Sequence, residues 1–216
     1  MWNSKNYKKF DSDDARKYAE MTRNVFAPIY PVIAGQIMDR CKVRKGPCID
    51  IGSGPANLAI AIAKISNLKT YAMDFSWYIG EIAKANIRAE GLERRVAPVL
   101  GDVHRMPFRS DYASLVVSRG SMRFWKNKPM SFREIFRVLK PGGKGYVGGG
   151  VGSAALSDQI DREMLRQGRD WKKGPMKKYK KTDEKSFRET LRKAGIERFE
   201  IINDDTGFWI YLEKGV

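Results

Sequence analysis

Residues 47–65, PCIDIGSGPANLAIAIAKI, place an apolar strand pattern, a glycine turn and an alanine-rich helix pattern in direct succession. PCIDIGS has the apolar side chains of a strand, and residues 55–65 repeat apolar side chains at helical spacing. A strand that passes through a short glycine loop into a helix is typical of chains in which helices connect parallel strands. This segment therefore predicts an α/β fold with a parallel sheet.

The same alternation continues along the chain. Strand patterns recur at residues 70–74, 96–102, 114–118 and 143–150, and helix patterns at 76–91, 132–140 and 183–195. The Pro-Gly-Gly after residue 140 is expected to stop the helix at 132–140. The run SLVVS is apolar on both faces, as expected of a strand in the middle of a parallel sheet. Two last strands, 199–203 and 208–214, are joined by the tight-turn composition Asp-Asp-Thr-Gly. We therefore predict a Rossmann-like, seven-stranded, mostly parallel sheet with helices on both faces and a C-terminal antiparallel hairpin.

Two segments lie outside this alternation. Residues 1–46 carry helical patterns, with DSDD offering an N-cap near residue 12 and Pro31 starting a second helix, and we expect them to form an N-terminal helical lid. Residues 151–182 form a polar, basic insertion that contains WKKGPMKKYKK. The length of 216 residues suits one domain, in which residues 47–216 form the core below the lid.

Composition excludes several classes of protein. Two cysteines, Cys41 and Cys48, and one histidine, His104, exclude a disulfide framework, a cysteine-rich zinc site and a multi-histidine metal site. No run reaches the roughly 18 apolar residues of a membrane span, and the first residues lack the apolar core of a signal peptide, so we expect a cytoplasmic protein. The formal net charge of +16 attracts phosphates, acidic membranes and anionic metabolites, or simply reflects a well-solvated surface.

The segment DIGSGPANL, residues 50–58, is the most informative part of the sequence about a bound ligand. Gly52 and Gly54 permit a sharp turn with bare backbone, and the following helix N-terminus offers N–H groups to a carboxylate or phosphate. A dinucleotide fingerprint would need glycine at position 57, where Asn57 stands, and the Gly-Lys-Ser/Thr ending of a Walker loop is absent. The chain instead has an acidic residue at the strand end, followed by G-x-G-x-A.

This spacing resembles the first motif of the class I S-adenosylmethionine-dependent methyltransferases. Other stretches fall where that family has further motifs: Asp74-Phe75 after the second strand, Gly101-Asp102-Val103 followed by MPF after the third, and VLKPGG before the fifth. FAPIYPVIA, residues 26–34, resembles the lead-in helix of the branch that includes the ubiquinone and menaquinone C-methyltransferases. The resemblance covers about residues 25–214, and it implies the Rossmann-like fold of that family.

The resemblance also implies S-adenosylmethionine as the cofactor and assigns residues to it. Asp50, Gly52 and Gly54 would hold the methionine end. Asp74 would accept the ribose hydroxyls, and Asp102 with Val103 would bind the adenine. The whole predicted cofactor-binding set is Asp50, Gly52, Ser53, Gly54, Asp74, Phe75, Ser76, Asp102, Val103 and Ser118. Ala56 replaces the family's usual third glycine, and we expect it to be tolerated because it is nearly as small.

The methyl acceptor is expected to enter at the carboxyl ends of the fourth and fifth strands, under the N-terminal helices. Arg119 suits bidentate binding of an anionic acceptor or of the cofactor carboxylate, and its structural alternative is an arginine that caps strand ends. His104 follows Asp102 by two residues and is expected at the surface or the adenine rim. The aromatic candidates for the pocket or its lid, each of which would equally suit a core, are Phe124, Trp125, Tyr18, Phe26 and Tyr30.

Three hypotheses of function follow. The leading one is methyl transfer to a small anionic molecule, which needs positioning and exclusion of water but no metal and no catalytic histidine. The net charge and the WKKGPMKKYKK run motivate an RNA methyltransferase, although SRGSM after the fourth strand differs from the Asn/Asp-Pro-Pro-aromatic motif of enzymes that methylate base amino groups. The third hypothesis is a non-enzymatic protein that binds S-adenosylmethionine.

Overall fold

The computed structural model describes residues 11–170 and 184–215, which contain seven α-helices and seven β-strands. In chain order the elements are α1 (Ser12–Asn24), α2 (Ile29–Cys41), β1 (Lys45–Ile51), α3 (Asn57–Lys64), β2 (Asn67–Asp74), α4 (Trp77–Ala89), β3 (Val96–Leu100), β4 (Ala113–Arg119), a single 3₁₀ turn (Met122–Phe124), α5 (Lys128–Val138), β5 (Leu139–Gly150), α6 (Ala154–Arg166), α7 (Glu184–Lys193), β6 (Phe199–Asp204) and β7 (Gly207–Glu213).

The strands form one sheet in the order β3-β2-β1-β4-β5-β7-β6. The first five are parallel, and β7 runs antiparallel to both β5 and β6. The predicted Rossmann-like sheet with its C-terminal hairpin is confirmed. Strand order reverses between β1 and β4, so their carboxyl ends open onto a crevice where ligands of such sheets bind.

Helices cover both faces of the sheet. Helices α2, α3, α4 and α6 pack on one face, and α5 with α7 packs on the other. The two helices of the predicted lid differ from each other. Helix α2 is a core helix, in which Ile33 and Ile37 are fully buried, whereas α1 buries only Ala15 and Thr22 and packs against α4. Only α1 therefore has the position of a lid.

Backbone conformation sets the ends of the first strand and helix. Gly52 has φ +64° and ends β1 after Ile51, earlier than the predicted end at residue 53. Ala56 adopts φ +68° directly before α3. The expectation that Ala56 is tolerated for its small size is incomplete, because this position requires the left-handed region. A residue with a Cβ adopts that region at a cost of about 1–2 kcal/mol.

The predicted helix at 132–140 is displaced in the structure. Helix α5 begins at Lys128, because the Asn127 side chain accepts a hydrogen bond from the Met130 N–H over 3.0 Å. It ends at Val138, and the Pro-Gly-Gly expected to stop it lies within β5, where Gly142 has φ +73° and the register with β4 shifts. Pro-Gly-Gly therefore marks an irregularity in a strand and not the end of a helix.

The basic insertion at 151–182 contains a helix that the sequence analysis did not predict. Helix α6 begins after Ser153, whose hydroxyl accepts a hydrogen bond from the Leu156 N–H over 3.2 Å. It buries Ile160 and Met164 against the core. The WKKGPMKKYKK run lies outside the described residues. Among the helices of residues 11–170 and 184–215, none has the length and apolar character needed to cross a bilayer.

Candidate active site

A cavity of about 1000 Å³ opens at the carboxyl ends of the parallel strands, beneath α1. Residues that follow β1, β2 and β3 line one half of it, which we call the nucleoside half. Residues that follow β4 and β5, together with side chains of α1 and α6, line the other half, which we call the acceptor half. Its lining is largely apolar, and its volume is large enough for a cofactor and a second small molecule.

The glycine loop forms the base of the cavity. Gly52 and Gly54 both line it and both have positive φ, +64° and +56°. A Cβ on Gly52 would lie 2.3 Å from the Cβ of Ser121, so only glycine fits there. At Gly54 a Cβ would lie 3.1 Å from the Tyr18 ring, which places the aromatic ring of α1 directly over the loop. The loop therefore offers bare backbone to a ligand under the α1 lid.

Asp74, the last residue of β2, joins the glycine loop to the next helix. Its Oδ2 accepts a hydrogen bond from the Gly54 N–H and its Oδ1 accepts one from the Ser76 N–H, each over 3.0 Å. Burial raises the pKa of this carboxyl, and the backbone donors of Ser76 and Gly54 oppose that rise. A carboxylate has acceptor capacity beyond these two hydrogen bonds. Asp74 lines the cavity and is therefore placed to accept from the two hydroxyls of a ribose.

Asp102 lies beyond the end of β3 and also lines the cavity. Its Oδ1 accepts hydrogen bonds from the His104 N–H over 3.0 Å and from the His104 ring Nδ1 over 2.7 Å. The other ring nitrogen, Nε2, accepts from the Asn127 N–H over 3.2 Å, which assigns the proton of a neutral ring to Nδ1. Both hydrogen bonds to this carboxylate within the described chain end on Oδ1, which leaves Oδ2 to a donor such as an adenine amino group.

Four residues of the predicted cofactor set lie behind the cavity and do not line it. Asp50 is buried, accepts a hydrogen bond from the Ser53 hydroxyl over 2.7 Å, and has its pKa raised by burial to about 7. Ser76 caps α4 through the Ile79 N–H. Ser118 lies within hydrogen-bond distance of the Ile51 carbonyl, at 2.8 Å. These side chains shape the loop from within the fold.

Arg119 lines the acceptor half at the end of β4. Its Nε donates to the Gly150 carbonyl over 3.1 Å, and its guanidinium carbon lies 5.1 Å from the centre of the Phe26 ring and 5.9 Å from that of Tyr30. Across residues 11–170 and 184–215, no carboxylate forms an ion pair with it. Arg119 thus presents a fixed cation to the cavity.

The aromatic candidates occupy different places. Tyr18 and Phe26 line the cavity, and burial raises the pKa of the Tyr18 phenol to about 12. Phe124 lines it at the outer edge and is 62% exposed. Trp125 lines it too but is otherwise buried, with its Nε1 donating to Ser121 Oγ over 3.1 Å. Tyr30 does not line the cavity and lies in the core beside Arg119.

Several lining residues were not predicted. Ser121 packs on Gly52 and lies 2.7 Å, oxygen to oxygen, from Ser118. Helix α6 and the residues after it add Met164, Arg169 and Asp170. The signals available for this helix were the N-cap residue Ser153 and the apolar pair Ile160 and Met164 at i, i+4. The remaining lining side chains that were not predicted are Asp14, Met21, Ile51, Met73, Ile79, Arg123, Lys126 and Val151.

The residues present fit S-adenosylmethionine, the cofactor implied by the sequence motifs. A bare glycine loop, an aspartate at the end of β2 and an unshared oxygen on Asp102 supply the groups that a carboxylate, a ribose and an adenine need. Phe75 and Val103 add apolar surface for the adenine ring. No group of three or more His, Cys, Asp or Glu side chains in the described part of the chain is arranged to hold a metal ion.

Comparisons with known proteins identify the family of the chain. The family described as Methyltransferase domain matches residues 49–147. A proposed S-adenosylmethionine-dependent methyltransferase of Methanococcus maripaludis, whose crystal structure has 1.15 Å resolution, is 46% identical, has a TM-score of 0.92, and is matched over 100% of this chain and 98% of its own.

Two curated relatives match in part. The chloroplastic 2-methyl-6-phytyl-1,4-hydroquinone methyltransferase of Arabidopsis thaliana is 35% identical over 48% of this chain and 30% of its own length. The ubiquinone/menaquinone biosynthesis C-methyltransferase of Vibrio vulnificus is 26% identical over 44% of this chain and 38% of its own. The chain thus spans less than half the length of these relatives. On the near-complete match to the Methanococcus protein, the chain belongs to the class I S-adenosylmethionine-dependent methyltransferases, an enzyme family whose cofactor is S-adenosylmethionine.

Proposed function

We propose that the protein transfers a methyl group from S-adenosylmethionine to a small anionic acceptor bound beside Arg119. The observation that carries this proposal is the guanidinium of Arg119, which faces a largely apolar cavity without a carboxylate partner among the described residues. A half-buried cation of this kind gains most from an anion that reaches it. The named relatives add support for a small-molecule acceptor, since the Arabidopsis protein is named for a hydroquinone.

In the nucleoside half, Gly52, Gly54, Asp74 and Asp102 would hold the cofactor. When bound, the cofactor supplies a sulfonium methyl group for in-line displacement by an acceptor atom. The protein contributes position and exclusion of water, and orientation alone lowers such barriers by roughly 7–11 kcal/mol. The Tyr18 ring over Gly54 covers the loop from the α1 side, so the reacting atoms would be shielded from water on that side.

In the acceptor half, Arg119 would bind and orient the anion. Its Nε is held by the Gly150 carbonyl and its flat face by the Phe26 ring, so its direction is fixed before the acceptor arrives. Phe26, Met21 and Met164 offer an apolar wall for the acceptor body. A fixed cation also favours the ionised form of a weakly acidic acceptor, which removes the need for a strong general base.

The test is to incubate the enzyme with methyl-labelled S-adenosylmethionine and a small-molecule extract, and to identify labelled products by mass spectrometry. With the acceptor found, Arg119→Gln should lower kcat/KM about ten- to a hundred-fold, since a hydrogen bond to a charged group contributes about 1.5–3 kcal/mol. The kcat/KM of Arg119→Lys should lie between those of the wild type and Arg119→Gln, because lysine keeps the charge and loses the planar, forked guanidinium. Arg40→Gln is the control, since Arg40 is also stacked on a ring, that of Tyr211 at 5.4 Å, outside the cavity.

Three results would contradict the proposal. Label that enters RNA and no small molecule would favour the RNA methyltransferase, and cofactor binding without any turnover would favour a binding protein. If Arg119→Gln weakens cofactor binding and leaves the KM of the acceptor unchanged, the arginine binds the cofactor carboxylate, and the acceptor need not be anionic.

A further inference from the structure

Large apolar side chains are exposed around the mouth of the cavity. Phe75, Trp77 and Tyr78 follow β2, Leu100 ends β3, and Phe124 follows β4. We call these five residues the apolar rim. Asp74 and Leu100 are register partners, so the β2 and β3 parts of the rim are direct neighbours. Trp77 and Leu100 are each 61% exposed, which is unusual for such large apolar side chains.

A ligand inside the cavity accounts for only part of this exposure. Phe75 and Phe124 line the cavity, so a bound cofactor or acceptor can cover them. Trp77, Tyr78 and Leu100 do not line it, and the rings of Trp77 and Tyr78 pack edge to face on each other at 5.6 Å, outside the cavity. Within residues 11–170 and 184–215 these three side chains stay exposed, so their burial needs a partner beyond the described part of the chain.

Basic residues accompany the rim. Residues 118–128 contain four basic residues and no acidic one. Within this segment the Arg123 guanidinium carbon lies 4.6 Å from the centre of the Phe124 ring, so a cation and an exposed ring share one site. Arg105, which is also exposed, lies on the loop after β3, close in sequence to the cavity residues Asp102 and His104. Exposed aromatic rings with adjacent cations are the composition of surfaces that bind anionic lipid headgroups.

We propose that the apolar rim docks the protein on an anionic lipid surface, with the mouth of the cavity toward the lipid. The described helices are too short and polar to cross a membrane, so this contact is peripheral. The aliphatic side chain of Leu100 has no stacking face for a nucleic-acid base, which favours lipid over RNA as the partner. The lipid contact itself does not depend on the proposed function, but its benefit to the enzyme rests on that function. An amphipathic acceptor would pass from the lipid into the apolar cavity without crossing water.

The test is co-sedimentation of the full chain with vesicles of phosphatidylcholine alone or mixed with phosphatidylglycerol, in the absence of cofactor and acceptor. We expect binding to the mixed vesicles that weakens at high salt. Trp77→Ser and Leu100→Ser should each lower the partition coefficient about ten-fold or more. Ile65→Ser is the control, because Ile65 is 44% exposed, as is Tyr78, but lies before β2, at the opposite edge of the sheet.

Cofactor affinity, measured by calorimetry on Trp77→Ser, should equal that of the wild type, which separates docking from the methyltransferase site. Absence of binding to mixed vesicles overturns the proposal, and so does an equal loss in Ile65→Ser. Binding of a single-stranded oligoribonucleotide that Trp77→Ser abolishes, with vesicle binding intact, would assign the rim to RNA instead. Vesicle binding without turnover would reject the proposed function and leave the docking in place.

Discussion

Replacement of Gly52 by alanine tests how the glycine loop is built. The backbone at Gly52 has φ +64°, which costs alanine about 1–2 kcal/mol, less about 0.4–1 kcal/mol because alanine also restricts the unfolded chain. The new Cβ would lie 2.3 Å from the Cβ of Ser121 and 2.7 Å from its Oγ. Overpacking of this kind costs about 1–3 kcal/mol. We therefore expect Gly52→Ala to lower the free energy of unfolding by about 2–4 kcal/mol.

Ser121 has little freedom to relieve this clash. Its Oγ lies 3.1 Å from the Ile51 carbonyl and 2.7 Å from Ser118 Oγ, and it accepts a hydrogen bond from Trp125 Nε1 over 3.1 Å. Movement of Ser121 would break hydrogen bonds to buried partners, which costs more than the usual surface rearrangement. The steric contribution should therefore persist in the relaxed variant.

Gly91→Ala is the matched control. Gly91 has φ +63°, nearly equal to that of Gly52, but an added Cβ meets no atom within 4 Å. Gly91→Ala therefore isolates the cost of the positive φ, which we expect to lower the free energy of unfolding by about 0.5–1 kcal/mol. In thermal unfolding, Gly52→Ala should lower the Tm by about 4–16 °C and Gly91→Ala by about 1–4 °C.

A double variant makes the argument refutable. In Gly52→Ala combined with Ser121→Gly, the clashing atoms are gone, so the second substitution should restore about 1–3 kcal/mol relative to the sum of the single effects. Equal losses in Gly52→Ala and Gly91→Ala, or strict additivity in the double variant, would show that Ser121 does not restrict the loop.

Three further predictions concern titratable groups at or behind the cavity. Burial raises the pKa of Asp50 from 3.8 to about 7. The contribution of this carboxyl to stability is therefore complete below pH 4 and is lost as the pH rises through 7. Asp50→Asn should accordingly show a smaller fall in Tm than the wild type between pH 4 and 8. Asp74→Asn should weaken cofactor binding by about 1–3 kcal/mol in calorimetry, and an unchanged affinity would remove Asp74 from the ribose site. Burial raises the pKa of Tyr18 to about 12, so Tyr18→Phe should leave the shape of the pH–rate profile between pH 6 and 10 unchanged, and a shifted limb would show that the phenol titrates in the reaction.

The order of strands and helices could be predicted because each element carries its own local pattern. The apolar run in β4 is buried along its whole length except for Arg119, as its central place in the sheet requires. Local patterns failed where two signals overlap. Pro-Gly-Gly suits both a helix end and a strand irregularity, and only the pairing of β5 with β4 and β7 decides between them.

The residues proposed to bind the cofactor differ in where the structure places them. Gly52, Gly54, Asp74 and Asp102 all reach the cavity, because each follows a parallel strand at the same edge of the sheet. Asp50 and Ser118 have the residue type and the spacing expected of cofactor-binding positions. Their side chains nevertheless point into the fold, where backbone and hydroxyl groups bind them. Spacing fixes a residue's place along a strand, but it does not fix which neighbour its side chain contacts.

The acceptor half could not be predicted to the same depth because it is assembled from separate segments. Tyr18, Phe26 and Met164 come from α1, from the turn after it and from α6, and they meet only when the sheet has formed. All three lie outside residues 49–147, the part matched by the methyltransferase family, whereas Gly52, Asp74 and Asp102 lie inside it. The matched part thus contains the nucleoside half together with Arg119 and the loop after β4, and it leaves out the contributions of α1 and α6. Acceptor choice must therefore be sought in α1, in α6, and in the end of β4 with the loop after it, which contribute the Arg119 cation and the exposed ring of Phe124.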